Sequence, residues 1–233
     1  MEQTLLTRES ILSGAYFDAF ADLPAGIVWT PEKIRSSINE TLRNRPTTGA
    51  FWLFAYGSLL WNPLFEIADR QLATLHGWHR SFCLRVKGGR GSADRPGRML
   101  SLEAGSATTG VALLLPEEKL DEELLVIWTR EMITGAYCPT WVEARFSDGR
   151  RVEVFAFLAN PLHPSHDSQT GVQRVALEIA NAHGPLGSNA EYVFRLREAL
   201  DGLGVKDEYI EAVATGLDQL LPLTSGEKEE MRA

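Results

Sequence analysis

The first 45 residues place apolar and polar side chains at helical spacing. Residues 30–32, threonine, proline and glutamate, combine a capping hydroxyl, a proline at the first helical position and an acid in the first turn. The pattern predicts a helix from there to about Leu42, broken by the Pro-Thr-Thr-Gly segment at 46–49. We expect residues 1–50 to form a helical extension that packs on the core, and not a separate domain.

The pattern changes at Phe51, where alternating or continuous apolar runs predict strands. A Ser-Asp-Gly turn at 147–149 lies between two such runs and is typical of a β-hairpin. A loop rich in glycine and arginine occupies residues 87–97. The predicted strands cover residues 51–56, 71–87, 98–102, 110–115, 141–146 and 151–158, and the predicted helices cover about 117–133, 171–183, 189–201 and 206–221.

Strands thus dominate the middle of the chain, and helices dominate its two ends. This order predicts an α+β fold with a mostly antiparallel sheet or small barrel surrounded by helices. We expect one folded domain over residues 51–223 and a disordered tail over residues 224–233.

The composition is that of a globular protein, with 44% hydrophobic and 23% charged residues. The formal net charge of −8, with no basic block, disfavours nucleic acid as a partner. No stretch has the length of a membrane helix and the first residues lack the layout of a secretory signal, so we expect a cytoplasmic protein without a membrane partner. Cys83 and Cys138 lie far apart and form no CxxC pair, which disfavours a disulfide scaffold or a zinc site.

The predicted central helix carries one acidic residue on its apolar face. At about 100° per residue, Glu131 falls in the middle of the stripe formed by Leu120, Leu124 and Ile127, whereas Arg130 points well away. Burial there would raise the pKa of the carboxyl group, and such carboxyls serve general acid–base catalysis. A glutamate close to a helix end can also reach water or pair with an arginine, and the spacing leaves both interpretations open.

The strand predicted to end at Tyr56 is followed directly by Gly57 and Ser58. Glycine at a strand end can adopt a positive φ, and successive N–H groups can then form a nest for a carboxylate, a phosphate or an oxyanion. The alternative is an ordinary turn in which Ser58 caps the segment that follows.

Motifs for nucleotides and metals are incomplete in this sequence. The glycines at 89–91 lack the third glycine of a dinucleotide fingerprint, and residues 105–110 are not followed by the Lys-Ser/Thr of a P-loop. His163, His166 and Asp167 fall in a loop with a proline, not on one face of a helix. We therefore expect no metal and no cofactor.

Four stretches occur in order with fitting separations, and together they resemble the ChaC family, the γ-glutamylcyclotransferases that act on glutathione. The bacterial branch of that family is the most similar. The resemblance covers about residues 50–200 and implies a small mixed barrel with helices around it. The stretches are FAYGSLLWNP at 54–63, RPGRMLSLEAG at 95–105, WTREMITGAYCPTW at 128–141 and GPLGSNAEYVFRL at 184–196.

The resemblance also implies a reaction that needs neither metal nor cofactor. The free α-amine of a γ-glutamyl group attacks its own side-chain amide, which forms 5-oxoproline and, from glutathione, releases Cys-Gly. Glu131 matches the family's proton-accepting glutamate, and the family's YGSL loop cradles the γ-glutamyl head. Tyr192, in the Asn-Ala-Glu-Tyr segment at 189–192, matches a tyrosine that lines the same pocket. The implied substrate-binding residues are Leu53, Phe54, Ala55, Tyr56, Gly57, Ser58, Leu59 and Tyr192.

Further substrate contacts are expected on weaker grounds. Arg98 and Arg90 could meet the glycine-end carboxylate of glutathione because of their charge, or could simply be surface residues. Tyr137 belongs to the Gly-x-Tyr that follows the glutamate, but the spacing is two residues longer than in the eukaryotic pattern, which leaves its position open. The expected partner is a small molecule, and no oligomeric state is predicted.

Other functions remain open on the sequence alone. A cyclotransferase for other γ-glutamyl amines or amino acids would read the same head group and differ only in the outer pocket. A non-catalytic regulator of cation transport, an older association of the family's name, would bind a membrane partner and release no 5-oxoproline. A hydrolase using His163, His166 and Asp167 would require a metal.

Overall fold

The computed structural model describes residues 6–46 and 49–221. The Thr30 hydroxyl accepts a hydrogen bond from the Lys33 N–H at 3.3 Å, which begins a helix where the capping pattern predicts one. Residues 21–29 are turns and irregular chain, so the expectation of helix throughout the first 45 residues is too broad. The helical segments before the first strand are α1 at Arg8–Ser13, a 3-10 helix at Ala15–Phe20 and α2 at Pro31–Arg43.

A closed barrel of five strands forms the centre of the described chain: β1 at Trp52–Ala55, β2 at Asp69–Val86, β3 at Gly97–Leu114, β4 at Tyr137–Phe146 and β5 at Arg151–Ala159. Their order around the barrel is β1-β3-β2-β4-β5. Neighbours are antiparallel except β1 and β5, which pair in parallel through Leu53 and Phe155 and close the barrel. The predicted α+β fold with a small, mixed, mostly antiparallel barrel is therefore confirmed.

The strand β3 is continuous over 18 residues, so the prediction of two short strands in this region is wrong. Its middle, residues 103–109, is polar and small-residue-rich, which resembles the composition of a loop. The backbone of this stretch nevertheless pairs with β2, because Glu103 lies opposite His79 and Thr109 opposite Thr74. Residues 104–107 are exposed, which explains their composition without a break in the strand.

The remaining predicted helices and the β4–β5 hairpin are confirmed, with ends that differ by a few residues. Gly149 in the hairpin turn has a φ of 91°, a conformation that favours glycine. A short hairpin with two residues in each strand, β6 at His183–Gly184 and β7 at Gly187–Ser188, precedes helix α5. The helices are α3 at Leu120–Glu131, α4 at Val172–Ala180, α5 at Asn189–Gly202 and α6 at Glu208–Leu220.

The strand β1 is buried on both faces, which accounts for its nearly continuous run of apolar residues. Phe54 belongs to a cluster with apolar residues of α4, α5 and α6. Leu53 and Ala55 belong to a second cluster, with apolar residues of α2 and α3. One face of β1 thus packs in the cluster that includes α2 and α3, and the other packs in the cluster that includes α4, α5 and α6.

The helical segments that precede β1 are fastened to this second cluster by hydrogen bonds as well as by packing. Trp128 Nε1 on α3 donates to the Ser37 hydroxyl at 3.2 Å, and Trp141 Nε1 on β4 donates to the Thr41 carbonyl at 3.0 Å. No helix among the described residues is long and apolar enough to cross a bilayer. The expected tail at 224–233 lies outside the described residues.

Candidate active site

The chain leaves β1 through a tight turn that contains Gly57. A short 3-10 helix at Ser58–Leu60 follows directly. Gly57 has a φ of −131°, so the positive φ considered from the sequence is not found. Glycine serves close approach instead, because a Cβ atom at this position would lie 2.7 Å from the Tyr192 hydroxyl oxygen.

Ser58 connects this turn to helix α3. Its hydroxyl accepts a hydrogen bond from Nη2 of Arg130 at 2.8 Å, and no side-chain hydrogen bond caps the 3-10 helix. The Ser58 N–H interacts with the phenol oxygen of Tyr192, which helps to lower the pKa of that phenol. The alternative in which Ser58 merely caps the next segment is therefore wrong.

The other residues that the resemblance implies in this segment, 53–55 and Leu59, have apolar side chains that pack in the core. The side chains of residues 53–55 and of Leu59 are buried in the two apolar clusters. The backbone of 53–55 is paired with β3. The polar groups that reach α3 or its end therefore come from the turn and from the tyrosines around it.

Glu131 is the last residue of α3, and its side chain keeps only 15% of its exposure. The structure shows burial of most of the side chain and also one of the alternatives, a pairing with an arginine, because Nε of Arg130 lies 3.1 Å from Glu131 Oε1. Burial raises the pKa of the Glu131 carboxyl, and the nearby Arg130 charge lowers it by a smaller amount. The Oε1 atom is buried without a hydrogen-bond partner, so one oxygen of this carboxylate is unsatisfied.

Arg130 is part of the site, and the expectation that it points well away is wrong. Its side chain is almost wholly buried, and its Nε lies 3.1 Å from Glu131 Oε1, out of line for a hydrogen bond. Its other guanidinium nitrogens donate to the Ser58 hydroxyl and to the main-chain oxygens of Asn62 and Pro63. Arg130 therefore holds the turn after β1 against the end of α3. Helical spacing did not predict this position of Arg130, because a long side chain at a helix end can extend away from the direction that its Cα–Cβ bond indicates.

Tyr56 and Tyr192 are buried, Tyr137 is partly buried, and all three phenols lie within electrostatic range of Glu131. The Tyr56 hydroxyl donates to a main-chain oxygen of β5, and the Tyr137 hydroxyl donates to one of β3 at 3.0 Å. Burial raises the pKa of all three, that of Tyr192 to about 12, and the Glu131 charge adds to the effect. At neutral pH these phenols stay protonated and act as hydrogen-bond donors or acceptors, not as bases.

Arg98 does not belong to this site, and its interpretation as a substrate contact is wrong. The residue is fully buried, and its guanidinium donates to Glu178 at 2.5 Å and to Asp167 at 2.7 Å. Arg90 instead lies over the Tyr192 ring, with its guanidinium carbon 5.9 Å from the ring centroid. Its Nη1 also donates to the Ser188 carbonyl at 2.7 Å.

The arrangement suits proton transfer by a single carboxylate. A glutamate with a raised pKa is partly protonated closer to neutral pH than a free one, so it can accept a proton and return it. The Ser58 turn adds a backbone N–H group next to the Tyr192 hydroxyl, as expected for a place that binds an oxygen.

The described residues thus form a closed, mostly antiparallel barrel surrounded by helices, with a mostly buried glutamate beside the turn after its first strand. Residues 51–219 match the family model described as ChaC-like protein. The chain therefore belongs to the ChaC family. The matched range includes the turn after β1, Glu131 and Tyr192.

Named relatives agree with this assignment. The chain is 44% identical over 217 residues to the glutathione-specific γ-glutamylcyclotransferase of Escherichia coli K12, which covers 93% of this chain and 94% of the relative. It is 31% identical to glutathione-specific γ-glutamylcyclotransferase 1 of mouse, over 74% of this chain and 80% of the relative.

Solved structures share the fold at low sequence identity. A crystal structure of the yeast γ-glutamylcyclotransferase specific to glutathione matches with a TM-score of 0.69 at 21% identity, over 74% of this chain and 97% of that one. YkqA from Bacillus subtilis matches with a TM-score of 0.51 at 19% identity, over 78% of this chain and 58% of that one. These likenesses support the barrel architecture.

Proposed function

We propose that this chain is a glutathione-specific γ-glutamylcyclotransferase. The observation that carries the proposal is its 44% identity, over nearly the full length of both chains, to the Escherichia coli relative of that name. The buried Glu131 beside the turn after β1 supports it, because the reaction needs one group that moves a proton and no covalent nucleophile.

The proposed chemistry is an intramolecular transfer of the γ-glutamyl carbonyl. The α-amine nitrogen attacks the γ-amide carbon, a new C–N bond closes the five-membered ring of 5-oxoproline, and the original amide C–N bond breaks to release Cys-Gly. Glu131 accepts the proton that the attacking amine loses and gives it to the leaving nitrogen, so no net proton is consumed. A carboxyl whose pKa is raised by burial suits both steps.

The surrounding residues would bind and orient the γ-glutamyl head. We infer that main-chain N–H groups of the turn after β1 receive the carbonyl oxygen as negative charge develops on it. The protonated phenols of Tyr56, Tyr137 and Tyr192 would supply further hydrogen bonds to the head group. Of the two arginines considered from the sequence, Arg90, which lies over Tyr192, remains the candidate for the glycine carboxylate.

A product assay tests the proposal directly. Purified protein with glutathione and a chelator should release 5-oxoproline and Cys-Gly in equal amounts, measured by mass spectrometry. Glu131→Gln should lose this activity while it folds, and the matched control Glu198→Gln, at an exposed position of α5, should keep it. Full turnover by the Glu131→Gln variant would contradict the assigned role.

The substrate range is tested by comparing glutathione with γ-glutamyl amino acids and γ-glutamyl amines under the same conditions. Preference for glutathione supports the specific assignment, whereas preference for another γ-glutamyl compound would show a related cyclotransferase. Release of 5-oxoproline from none of them would overturn the proposal and favour the regulatory alternative.

We also propose the chain's organisation and location. Of the described residues, those from 51 onward form the γ-glutamylcyclotransferase-like domain, and those before 51 form an extension that packs on it. The site of action is the cytoplasm. Fractionation of cells that express the full chain, with an antibody against it, tests the location.

A further inference from the structure

A second cluster of reactive side chains lies on β2, β3 and the loop after β5. The Cys83 sulfur, a Glu103 carboxylate oxygen and a His166 ring nitrogen all lie within 4.8 Å of one another. His166 Nε2 and Glu103 Oε1 are 2.8 Å apart. Cys83 is fully buried and forms no disulfide.

The backbone holds these three residues in place. The register of β2 against β3 shifts between Ser81 and Leu84, and such bulges redirect side chains. Leu84 forms an isolated bridge with His166. The Asp167 N–H donates to the Cys83 carbonyl at 2.8 Å, so the loop that carries His166 is bound to the bulged strand.

A separate observation shows that this cluster is incompletely satisfied. Ser81 is 1% exposed, and its hydroxyl lies beside both the Cys83 thiol and the Glu103 carboxylate. That hydroxyl nevertheless forms no well-aligned hydrogen bond. The buried Nδ1 of His79, opposite Glu103 on β2, also has no hydrogen-bond partner. Polar atoms left unpaired in this way are unusual in a folded protein.

From this geometry we propose that Cys83, Glu103 and His166 form a binding site for a divalent zinc ion. A thiolate, an imidazole and a carboxylate are all common zinc ligands, and three protein ligands leave a fourth position for water. Ligand atoms around one tetrahedral zinc ion are about 3.5 Å apart, so side-chain movements of about 1 Å bring this cluster into range.

The site differs from the one considered from the sequence, which joined His163, His166 and Asp167. His163 is turned instead towards the Thr134 carbonyl, at 3.2 Å, and Asp167 is paired with Arg98 at 2.7 Å. Cys83 and Glu103 reach His166 only through the bulge and the bridge, which the chain order does not reveal.

The zinc site is independent of the proposed cyclotransferase reaction, in which Glu131 acts without a metal. Binding is therefore measured directly, with metal-free full-length protein and Zn²⁺ in competition with a chromophoric chelator. We expect one zinc ion per chain. Cys83→Ser, Glu103→Gln and His166→Gln should each weaken binding by about 10-fold or more. Cys138→Ser and His183→Ala, at exposed positions, should bind as the wild type does.

Cobalt substitution makes the thiolate ligand visible. Co²⁺ bound to the wild type should show a near-ultraviolet charge-transfer band that requires sulfur coordination. The band should persist in Cys138→Ser and disappear in Cys83→Ser, with circular dichroism as the check that each variant folds. If the wild-type complex lacks this band, or if the His166→Gln variant binds zinc as tightly as the wild type, the proposal is overturned.

Discussion

Glu131 and Arg130 are consecutive residues at the end of one helix, yet both contribute to the same site. The guanidinium lies 3.1 Å from the carboxylate but directs its hydrogen bonds to the turn after β1. Glu131 thus has a charged neighbour while its buried oxygen stays without a hydrogen bond. This combination keeps the carboxylate accessible to a proton, at a cost in desolvation.

Because burial makes the ionised Glu131 carboxylate unfavourable, we expect Glu131→Gln to stabilise the folded protein more at high pH than at low pH. The folded-state pKa of Glu131 is raised, so the folded state disfavours the ionised form, and stability present below the unfolded pKa is lost as the pH rises through the folded one. Glutamine carries no such penalty. The free energy of unfolding, from urea titrations, should exceed that of the wild type at about pH 8 and differ much less at about pH 4. A benefit that is equal at both pH values would contradict a raised pKa.

Gly57→Ala should destabilise the protein, because the added Cβ would meet the Tyr192 hydroxyl at 2.7 Å. Overpacking of this kind costs about 1–3 kcal/mol. The double variant Gly57→Ala/Tyr192→Phe removes the oxygen and should recover part of the loss, measured by chemical unfolding. Equal losses in the single and double variants would show that the close approach to this hydroxyl is not the cause.

At the scale of elements, α3 and the turn after β1 form one unit although about 70 residues separate them in the chain. Arg130 provides the hydrogen bonds between them, to a side-chain oxygen and to main-chain oxygens. The element that carries the proposed base is therefore positioned directly against the element that would bind the substrate.

Arg130→Gln should change both the rate and the pH profile of 5-oxoproline release. Loss of the positive charge removes an influence that lowers the pKa of Glu131, so the acid limb of the profile should move to higher pH. Arg130→Lys keeps the charge but loses the forked hydrogen bonds, so kcat should fall with a smaller shift. Arg195→Gln, at an exposed position of α5, is the matched control. A fall in rate with no shift in Arg130→Gln would indicate a purely structural role.

At the scale of the whole molecule, helix α2, which precedes β1, contributes side chains to a hydrophobic core that it shares with the barrel. Ile34 and Ile38 of α2 are buried in the same cluster as Trp128 of α3. The Ser37 hydroxyl accepts a hydrogen bond from that indole. The helix that ends at Glu131 is therefore supported from its other side by α2.

Ile34→Ala should destabilise the protein by about 2–5 kcal/mol, because it leaves a cavity between α2 and α3. Leu12→Ala, at a position that is 50% exposed, is the control and should change stability little. The free energy of unfolding by urea measures both. A small effect at Ile34 would mean that α2 contributes little to the core.

Local patterns in the sequence predicted much of this molecule. The cap at Thr30 and the Ser-Asp-Gly hairpin follow from spacing and turn chemistry, which act within a few residues. The spacing placed Glu131 on the apolar face of α3 but left its burial open. The continuity of β3 did not follow, because pairing with β2 overrides its loop-like composition. The positions of Arg130 and Arg98 depend on partners elsewhere in the chain, which no local pattern specifies.

The parallel contact between Leu53 and Phe155 also bears on how the protein is made. During synthesis β1 leaves the ribosome roughly 100 residues before the strand that closes the barrel, which at about 5–20 residues per second is a delay of about 5–20 s. Throughout that interval a strand that is apolar on both faces lacks its final neighbour. We therefore expect β1, and the turn that follows it, to reach their final surroundings only after β5 has been synthesised.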